Sequence, residues 1–463
     1  VTAAHFQSAL DVPVPVETLF AWHERPGAFE RLSPPWDKAE VVEHTGGIRD
    51  GARVVLSVPT GPIHTRWVIE HRAYIENRQF KDVLQEGPFA KFEHTHRFEA
   101  RGLRDSRLTD SIDYALPLGA LGAAAGGWYA ARTLERVFRY RHALLRNDLE
   151  RHAAFVDAGP LRIAVTGASG FIGAQLCAFL STGGHTVLRI DRGTYNPGVI
   201  DIPWDPARGQ LDPHALEGVD AVVHLAGANI AERWTAEHKQ AIRDSRVQGT
   251  TLIAKTLASL ERKPRVLVSA SAIGIYGDRD DEILDETSVP GTGFLPDIAR
   301  EWEASTEAAE RAGIRVVHAR TGIVQGAAGG ALGKQLPVFR AGLGGPLAGG
   351  HDWLSPIALD DEIGALHFCI MRDDVRGAVN LTCPNPLTNA DYTGILGHVL
   401  GRPAVMPVPA FALHALFGTE MVDHTILTSL RVMPRVLERT GFAFRHATTE
   451  HILRFELGEF EGG

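Results

Sequence analysis

Two hydrophobic periods divide this chain. Up to about residue 115, apolar and polar positions alternate at a spacing of two, in runs broken by Gly-Gly, Asp-Gly and Gly-Pro pairs. Such runs predict antiparallel strands with one face toward a core. They cover residues 6–10, 41–44, 53–58, 65–74, 79–86, 90–100 and 106–115, with a helical stretch at 16–29. Over 128–155, Leu134, Val137, Phe138, Leu144, Leu145 and Leu149 recur at the spacing of a helix face. One long helix laid across a curved antiparallel sheet predicts an α+β layer that encloses a cavity. Beyond residue 160 the period changes. Short apolar runs at 161–165, 185–190, 219–225, 266–271 and 314–320 alternate with helical patterns at 171–180, 234–260 and 295–312. This alternation predicts an α/β, Rossmann-like doubly wound sheet, mostly parallel, with helices on both faces.

The second region is organised around one corner. The run ending in Val165-Thr166 leads into Gly167-Ala168-Ser169-Gly170-Phe171-Ile172-Gly173, and a helical pattern follows at once. Three glycines at this spacing between strand and helix predict a phosphate-binding turn for a dinucleotide. Gly167 lets the strand turn, Gly170 lets backbone N–H groups approach a pyrophosphate, and Gly173 lets the helix pack close. The helix start adds unpaired donors and a positive dipole end. The next strand ends in Asp191-Arg192, where an acid holds the ribose of NAD and an arginine the 2′-phosphate of NADP; NADP is the expected cofactor, with NAD the alternative. Leu225, Ala226 and Gly227 end the strand after that, small enough for backbone to pass beneath the nucleotide.

Composition narrows the partners. The chain has 463 residues, 44% of them hydrophobic and 22% charged, enough for two or three domains. Residues 1–153 carry 20 Lys+Arg and 20 Asp+Glu, so the formal charge of −9 falls on the remainder. Neither part has a basic excess, which argues against nucleic acid or an anionic membrane. Cys177, Cys369 and Cys383 form no C-x-x-C pair, and Cys177 and Cys369 fall in apolar helical patterns, so buried thiols in a reducing compartment are expected. The tract 116–131 is too short and too weakly apolar to span a bilayer. The expected location is the cytoplasm. In the strand 92–98, Phe92, His94, His96 and Phe98 share one face. With no Cys or acidic cluster nearby in sequence, no metal is assigned there, and the histidines are read as a cavity lining or a hydrogen-bonded face.

Ala21-Trp22-His23-Glu24-Arg25-Pro26-Gly27-Ala28-Phe29, Leu32-Ser33-Pro34-Pro35-Trp36 and Gly87-Pro88-Phe89 resemble the helix-grip domains of the START/polyketide-cyclase (SRPBCC) superfamily. That resemblance covers most of residues 1–153 and implies a pocket for an apolar small molecule. Residues 165–173, His224-Leu225-Ala226-Gly227 and Ser269-Ala270-Ser271 with Tyr276-Gly277 resemble an extended short-chain dehydrogenase, the class that holds nucleotide-sugar epimerases. Gly342 to Leu347, Asn380-Leu381-Thr382, Arg402-Pro403 and Gly441-Phe442 are similar to its epimerase-family branch. The expected division is a helix-grip domain at 1–155 and a dinucleotide-binding domain at 160–463, with 404–455 as a C-terminal cap over the substrate cleft.

The same resemblance defines what is missing. Such a dehydrogenase uses a tyrosine, a lysine four residues on, and a serine. Ser271 matches the serine and is the candidate catalytic residue. The stretch Leu295 to Glu303 holds neither tyrosine nor lysine, and Trp302 or Glu303 falls where the lysine should be. Arg246 replaces the relay asparagine and is assigned to the cofactor. Tyr276 reads as core or pocket wall, and Glu303 as an acid or a helix-surface carboxylate. Ten glycines between 322 and 350 form a lid or a plain connection. Asp360-Asp361-Glu362 opens a helix in the ordinary acidic fashion. Asn389 is expected to cap the next helix, and 410–417 and 421–432 to be helical. Three readings follow: an NADP-dependent epimerase-like oxidoreductase acting on a sugar nucleotide or other small carbonyl or hydroxyl compound; a catalytically silent NAD(P) sensor coupled to the first domain; or a reductase serving a catalytic or carrier first domain.

Overall fold

A computed structural model describes residues 3–37, 39–60, 63–117 and 119–460. The chain divides into two compact units, one of Val1–Gly159, Ala178–Gly184 and Leu457–Gly463, the other of Pro160–Cys177 and His185–Glu456.

The first unit is an antiparallel sheet gripped by a helix. Its strands are β1 (Ala4–Val12), β2 (Glu40–Thr45), β3 (Arg53–Thr60), β4 (Ile63–Ile75), β5 (Gln79–Glu86), β6 (Lys91–Ala100) and β7 (Ser106–Ala115), in the order β1-β7-β6-β5-β4-β3-β2. The stretch 16–29 is two helices, α1 (Val16–Glu24) and α2 (Ala28–Leu32), because Pro26 cannot continue a helix and Gly27 takes φ +96°. The long helix α3 (Gly119–Ala153) starts nine residues before the periodic pattern does, through a stretch of mixed alanine and glycine that propensity alone would not extend. Leu10, Phe20, Trp22, Phe98, Leu145 and Leu149 form the core between sheet and helices. Arg31 of α2 and Asp148 of α3 are joined inside it by two hydrogen bonds of 2.9 and 2.6 Å. A cleft of about 650 Å³ opens beside β1 and α3, lined by Phe6, Ser8, Trp128, Arg132 and Arg139 among others.

The second unit is built on β8 (Arg162–Thr166), β9 (Thr186–Asp191), β10 (Ile202–Asp205), β11 (Gln210–Leu211), β12 (Ala221–His224) and β13 (Val266–Ala272), then strands Arg315–Thr321 and Gly377–Leu381. They stand in the order β11-β10-β9-β8-β12-β13, followed by those last two, and all pairs are parallel except β10 with β11. The order reverses between β8 and β12, the point at which open α/β sheets place their ligands. Helices α4 (Phe171–Thr182), α5 (Ala236–Ser259) and α6 (Phe294–Ala304) carry the site residues discussed below. Ile190, Val222, Ile253, Leu257 and Leu267 fill the layer between sheet and α5.

Three local expectations are corrected. The predicted helix at 295–312 is two, α6 and Glu307–Arg311. Residues 421–432 are not one helix: a π-turn, Val422–Ile426, leads to a short strand Arg431–Val432 that pairs with Ile283–Leu284. Helix Asn389–Leu400 is capped by Thr388, whose hydroxyl accepts from the Asp391 amide at 3.2 Å, and not by Asn389. All three cysteines are buried and free, and burial pushes each thiol up to about 12. Among the described residues no helix is long and apolar enough to cross a membrane.

Candidate functional site

The glycine corner is fixed by contacts that a side chain would fill. Gly167 turns out of β8 at φ +66°, and a Cβ there would lie 3.0 Å from the Ala226 amide nitrogen. At Gly173, on the first turn of α4, a Cβ would come within 2.1 Å of the Gly167 carbonyl oxygen. The Gly170 amide donates to that oxygen at 3.0 Å, closing the turn. Ala168 is buried, while Ser169 and Gly170 are exposed. Phe171 and Ile172 are half-buried, and the Phe171 ring packs on the glycines that follow Ile323–Gly326: a Cβ at Gly326 or Gly329 would meet it at 2.6 or 2.8 Å. Part of the glycine-rich stretch therefore makes room for Phe171.

A hydroxyl ties the corner to its neighbour strand. Thr166 Oγ1 accepts from the amides of Leu225 and Ala226 at 3.1 and 3.2 Å, so its own proton goes to Nδ1 of His224 at 2.7 Å. His224 is fully buried, and burial pulls its pKa down to about 4, leaving it neutral. This bond holds Leu225-Ala226-Gly227 beside the corner. Thr166 and His224 stood in the motifs quoted from the sequence but were given no role there; a polar residue at the end of each of two adjoining apolar runs was the available signal.

At the end of β9, Asp191 accepts from Ser169 Oγ at 2.6 Å and from the Arg192 amide at 2.8 Å. Arg192 itself is exposed. Arg246, on α5, donates to the carbonyl oxygens of Ala228 and Ile242 at 3.1 and 3.2 Å, with its guanidinium 4.9 Å over the Trp302 ring. A Cβ on Gly227 would lie 3.5 Å from its Cζ. Burial pulls the Arg246 pKa down to about 10, and no carboxylate pairs with it among the described residues. The structure thus gathers Gly167–Gly173, Asp191, Leu225–Gly227 and Arg246 around the switch point. The cradle that a Cβ would fill and the guanidinium without an anion both suit a bound pyrophosphate.

Ser271 lies one residue from the end of β13, on the same edge of the sheet, and is 3% exposed. Its hydroxyl donates to Glu303 Oε1 at 2.7 Å. Arg320 grips both Glu303 oxygens, at 2.8 and 2.9 Å, and donates to the Tyr276 hydroxyl at 3.0 Å. Tyr276 donates in turn to Asn380 Oδ1 at 2.8 Å. Burial works to raise the Glu303 pKa, but the Arg320 guanidinium outweighs it and holds the carboxyl below its ordinary value. Tyr276 is wholly buried, with its pKa raised by that burial, and is part of the core. Glu303 is no helix-surface carboxylate but the centre of this network. Arg320 was missed, although an arginine inside the apolar run of a central strand is itself a signal.

Residues 163–331 match the model of the NAD dependent epimerase/dehydratase family, 408–456 a domain of unknown function, DUF1731, and 12–138 that of polyketide cyclase/dehydrase and lipid transport. An epimerase family protein of Mycobacterium bovis, Mb2239, is 42% identical over 294 residues, covering 63% of this chain and 96% of that protein. The crystal structure of the nucleoside-diphosphate sugar epimerase from Corynebacterium glutamicum superposes with a TM-score of 0.81 at 32% identity, over 98% of this chain and 90% of that one. Human epimerase family protein SDR39U1, solved with NADPH, is 31% identical with a TM-score of 0.57, over 64% of this chain and 98% of its own.

Proposed function

The chain belongs to the NAD-dependent epimerase/dehydratase family, with a polyketide cyclase/START-like domain before it, and on that premise we propose that it is an NADP(H)-dependent oxidoreductase of the epimerase type, acting on a small hydroxyl compound such as a sugar nucleotide. Arg246 carries the reading. A half-buried guanidinium with no carboxylate partner among the described residues is partly stripped of water without compensation, and a pyrophosphate lying across Gly167–Gly173 supplies the anion it lacks. The preference for NADP rests on Arg192: Asp191 is already engaged by Ser169 and a backbone amide, and the exposed guanidinium beside it remains to meet a 2′-phosphate. The NADPH in the human relative's structure supports the same choice.

When bound, the dinucleotide supplies the hydride acceptor or donor. Ser271 Oγ already gives its proton to Glu303, so toward a substrate it presents a lone pair and suits a hydroxyl. A proton leaving that hydroxyl passes to Ser271 Oγ while the serine proton moves to Glu303. Arg320 keeps Glu303 ionised and oriented to receive it. The relay stands in for the absent tyrosine and lysine.

The test uses the full chain. NADPH and NADH are titrated by nicotinamide fluorescence, and turnover is followed at the nicotinamide absorbance against a panel of nucleoside-diphosphate sugars and small alcohols. NADPH is expected to bind more tightly than NADH, with Arg246→Ala weakening it about tenfold or more, about the worth of one charge-assisted contact. Ser271→Ala should leave NADPH affinity intact and lower kcat about 10²-fold or more. Tight NADPH binding with no turnover of any compound would leave the corner in place and remove the oxidoreductase reading.

A further inference from the structure

The inner face of the first sheet carries a polar cluster that the dinucleotide chemistry does not use, and strand register assembles it. His71 on β4 lies opposite Asp82 on β5, and Asp82 opposite His94 on β6. One row along, His96 lies opposite Asp110 on β7. His142 of α3 stands behind Asp110, its Nε2 3.0 Å from Oδ2. His71, His94, His96 and Asp110 are 7, 4, 7 and 2% exposed. The sequence assigned no metal because no acid lay beside the histidines along the chain; strand pairing brings two.

The cluster asks for more protons than its rings carry. A neutral imidazole has one N–H. Yet His96 has Nε2 3.3 Å from Asp82 Oδ2 and Nδ1 2.8 Å from Asp110 Oδ1. His94 repeats the arrangement, with Nε2 3.0 Å from Asp110 Oδ1 and Nδ1 3.7 Å from Asp82 Oδ2. Nδ1 of His71 is 2.8 Å from Asp82 Oδ1. Despite that proximity, His71 Nδ1, Asp82 Oδ1 and His96 Nδ1 are sealed from water and lie off the line of any hydrogen bond. Leaving buried polar atoms unpaired costs free energy. Asp110 is buried and Asp82 is half-buried with its side chain 20% exposed, and a divalent ion supplies them with positive charge while every histidine stays neutral.

The spacing agrees. Donors on a tetrahedral zinc ion, held at about 2.0–2.1 Å, stand about 3.3 Å apart; the His96 and His94 nitrogens stand 3.3 and 3.7 Å from Asp82 Oδ2, and His71 Nδ1 stands 2.8 Å from the other oxygen, Oδ1. The ligand atoms of Asp82, His94 and His96 all lie within 4.8 Å of one another. Asp110 then takes the role of the carboxylate behind metal-bound imidazoles, orienting His94 through its far ring nitrogen at 3.0 Å, with Nδ1 of His96 2.8 Å away. We propose that the helix-grip unit binds one divalent transition-metal ion of the zinc type through His71, Asp82, His94 and His96, with Asp110 and His142 as its outer support. Three imidazoles and one carboxylate, without thiolate, are a zinc-compatible donor set. Four protein donors leave no open position, so the ion braces β4, β5 and β6 and performs no chemistry.

The full chain is stripped with chelator and titrated with Co²⁺ as a visible probe and with Zn²⁺ in competition, while thermal unfolding is recorded with and without each ion. The expected result is the intense visible absorption of tetrahedral Co²⁺, displaced by Zn²⁺, and a raised unfolding temperature. His71→Gln and Asp82→Asn should each abolish that spectrum, and His142→Gln should weaken the ion about 10–100-fold. If Asp82→Asn unfolds, His71→Gln decides, since His71 lies on a different strand. No tetrahedral Co²⁺ band in the wild type, or a band that survives His71→Gln undiminished, overturns the proposal and makes the cluster a protonated histidine bridging two carboxylates.

Discussion

Glu362 offers the sharpest physical test of the second unit. It sits in the first turn of helix Leu359–Met371, wholly buried, with Thr321 Oγ1 donating to Oε1 at 2.8 Å and Oε2 without a partner. Sequence alone gave it the ordinary place of an acid at a helix start. Burial instead pushes its pKa up to about 8 from an ordinary 4.5. The folded pKa lies above the unfolded one, so between those values the native state holds a proton that the unfolded chain releases. Stability is therefore full below about pH 4.5 and falls as pH rises toward 8. Between about pH 5 and pH 8.5 this one group removes about 4 kcal/mol, at about 1.4 kcal/mol per pH unit. Glu362→Gln keeps the oxygen that accepts from Thr321 and cannot ionise. The variant should match wild type near pH 5 and exceed it by about 4 kcal/mol near pH 8.5. Paired urea titrations of the two proteins across that range measure the difference, from which all other titrating groups cancel. A difference that stays constant with pH would refute the assignment of a neutral Glu362.

Two further outcomes follow from contacts already described. Gly173→Ala drives a Cβ to 2.1 Å from the Gly167 carbonyl oxygen, so the corner must open; NADPH binding should be lost, with a destabilisation of about 1–3 kcal/mol in urea unfolding. In the first unit, Arg31→Ala or Asp148→Ala breaks the two-bond pair where the side chains are 2% and 0% exposed, and each should cost about 3–5 kcal/mol, while the double change Arg31→Met/Asp148→Leu should recover most of that in the same assay.

What the sequence disclosed was what neighbouring residues decide. The corner Gly167–Gly173 was legible because strand, turn and helix start are contiguous, and both sheets were legible because their periods are local. Helix 16–29 was read across Pro26-Gly27, a break that the sequence announces. Residues 421–432 were misread because the pairing of Arg431–Val432 with Ile283–Leu284 is a contact across more than a hundred residues, and it overrides helical propensity. The same reason hid the surroundings of His94 and His96: their acids, Asp82 and Asp110, arrive only through register. Ser271 was found by its motif, and Glu303 was weighed as an acid, but the Arg320 that holds Glu303 ionised comes from the next strand of the sheet.

Asp361 carries a consequence for how the second unit is made. Its two carboxylate oxygens accept the backbone amides of Arg445 and His446, at 2.9 and 2.8 Å, and it is wholly buried. On a ribosome, the helix that bears Asp361 emerges more than eighty residues before those amides do. Until then those two bonds to the carboxylate cannot form. The dinucleotide-binding unit thus cannot close from its N-terminal end alone, and its folding waits on the late-arriving segment. A nascent chain released short of about residue 446 is expected to be a client for chaperones or proteases, because the segment that seals its helix has yet to appear.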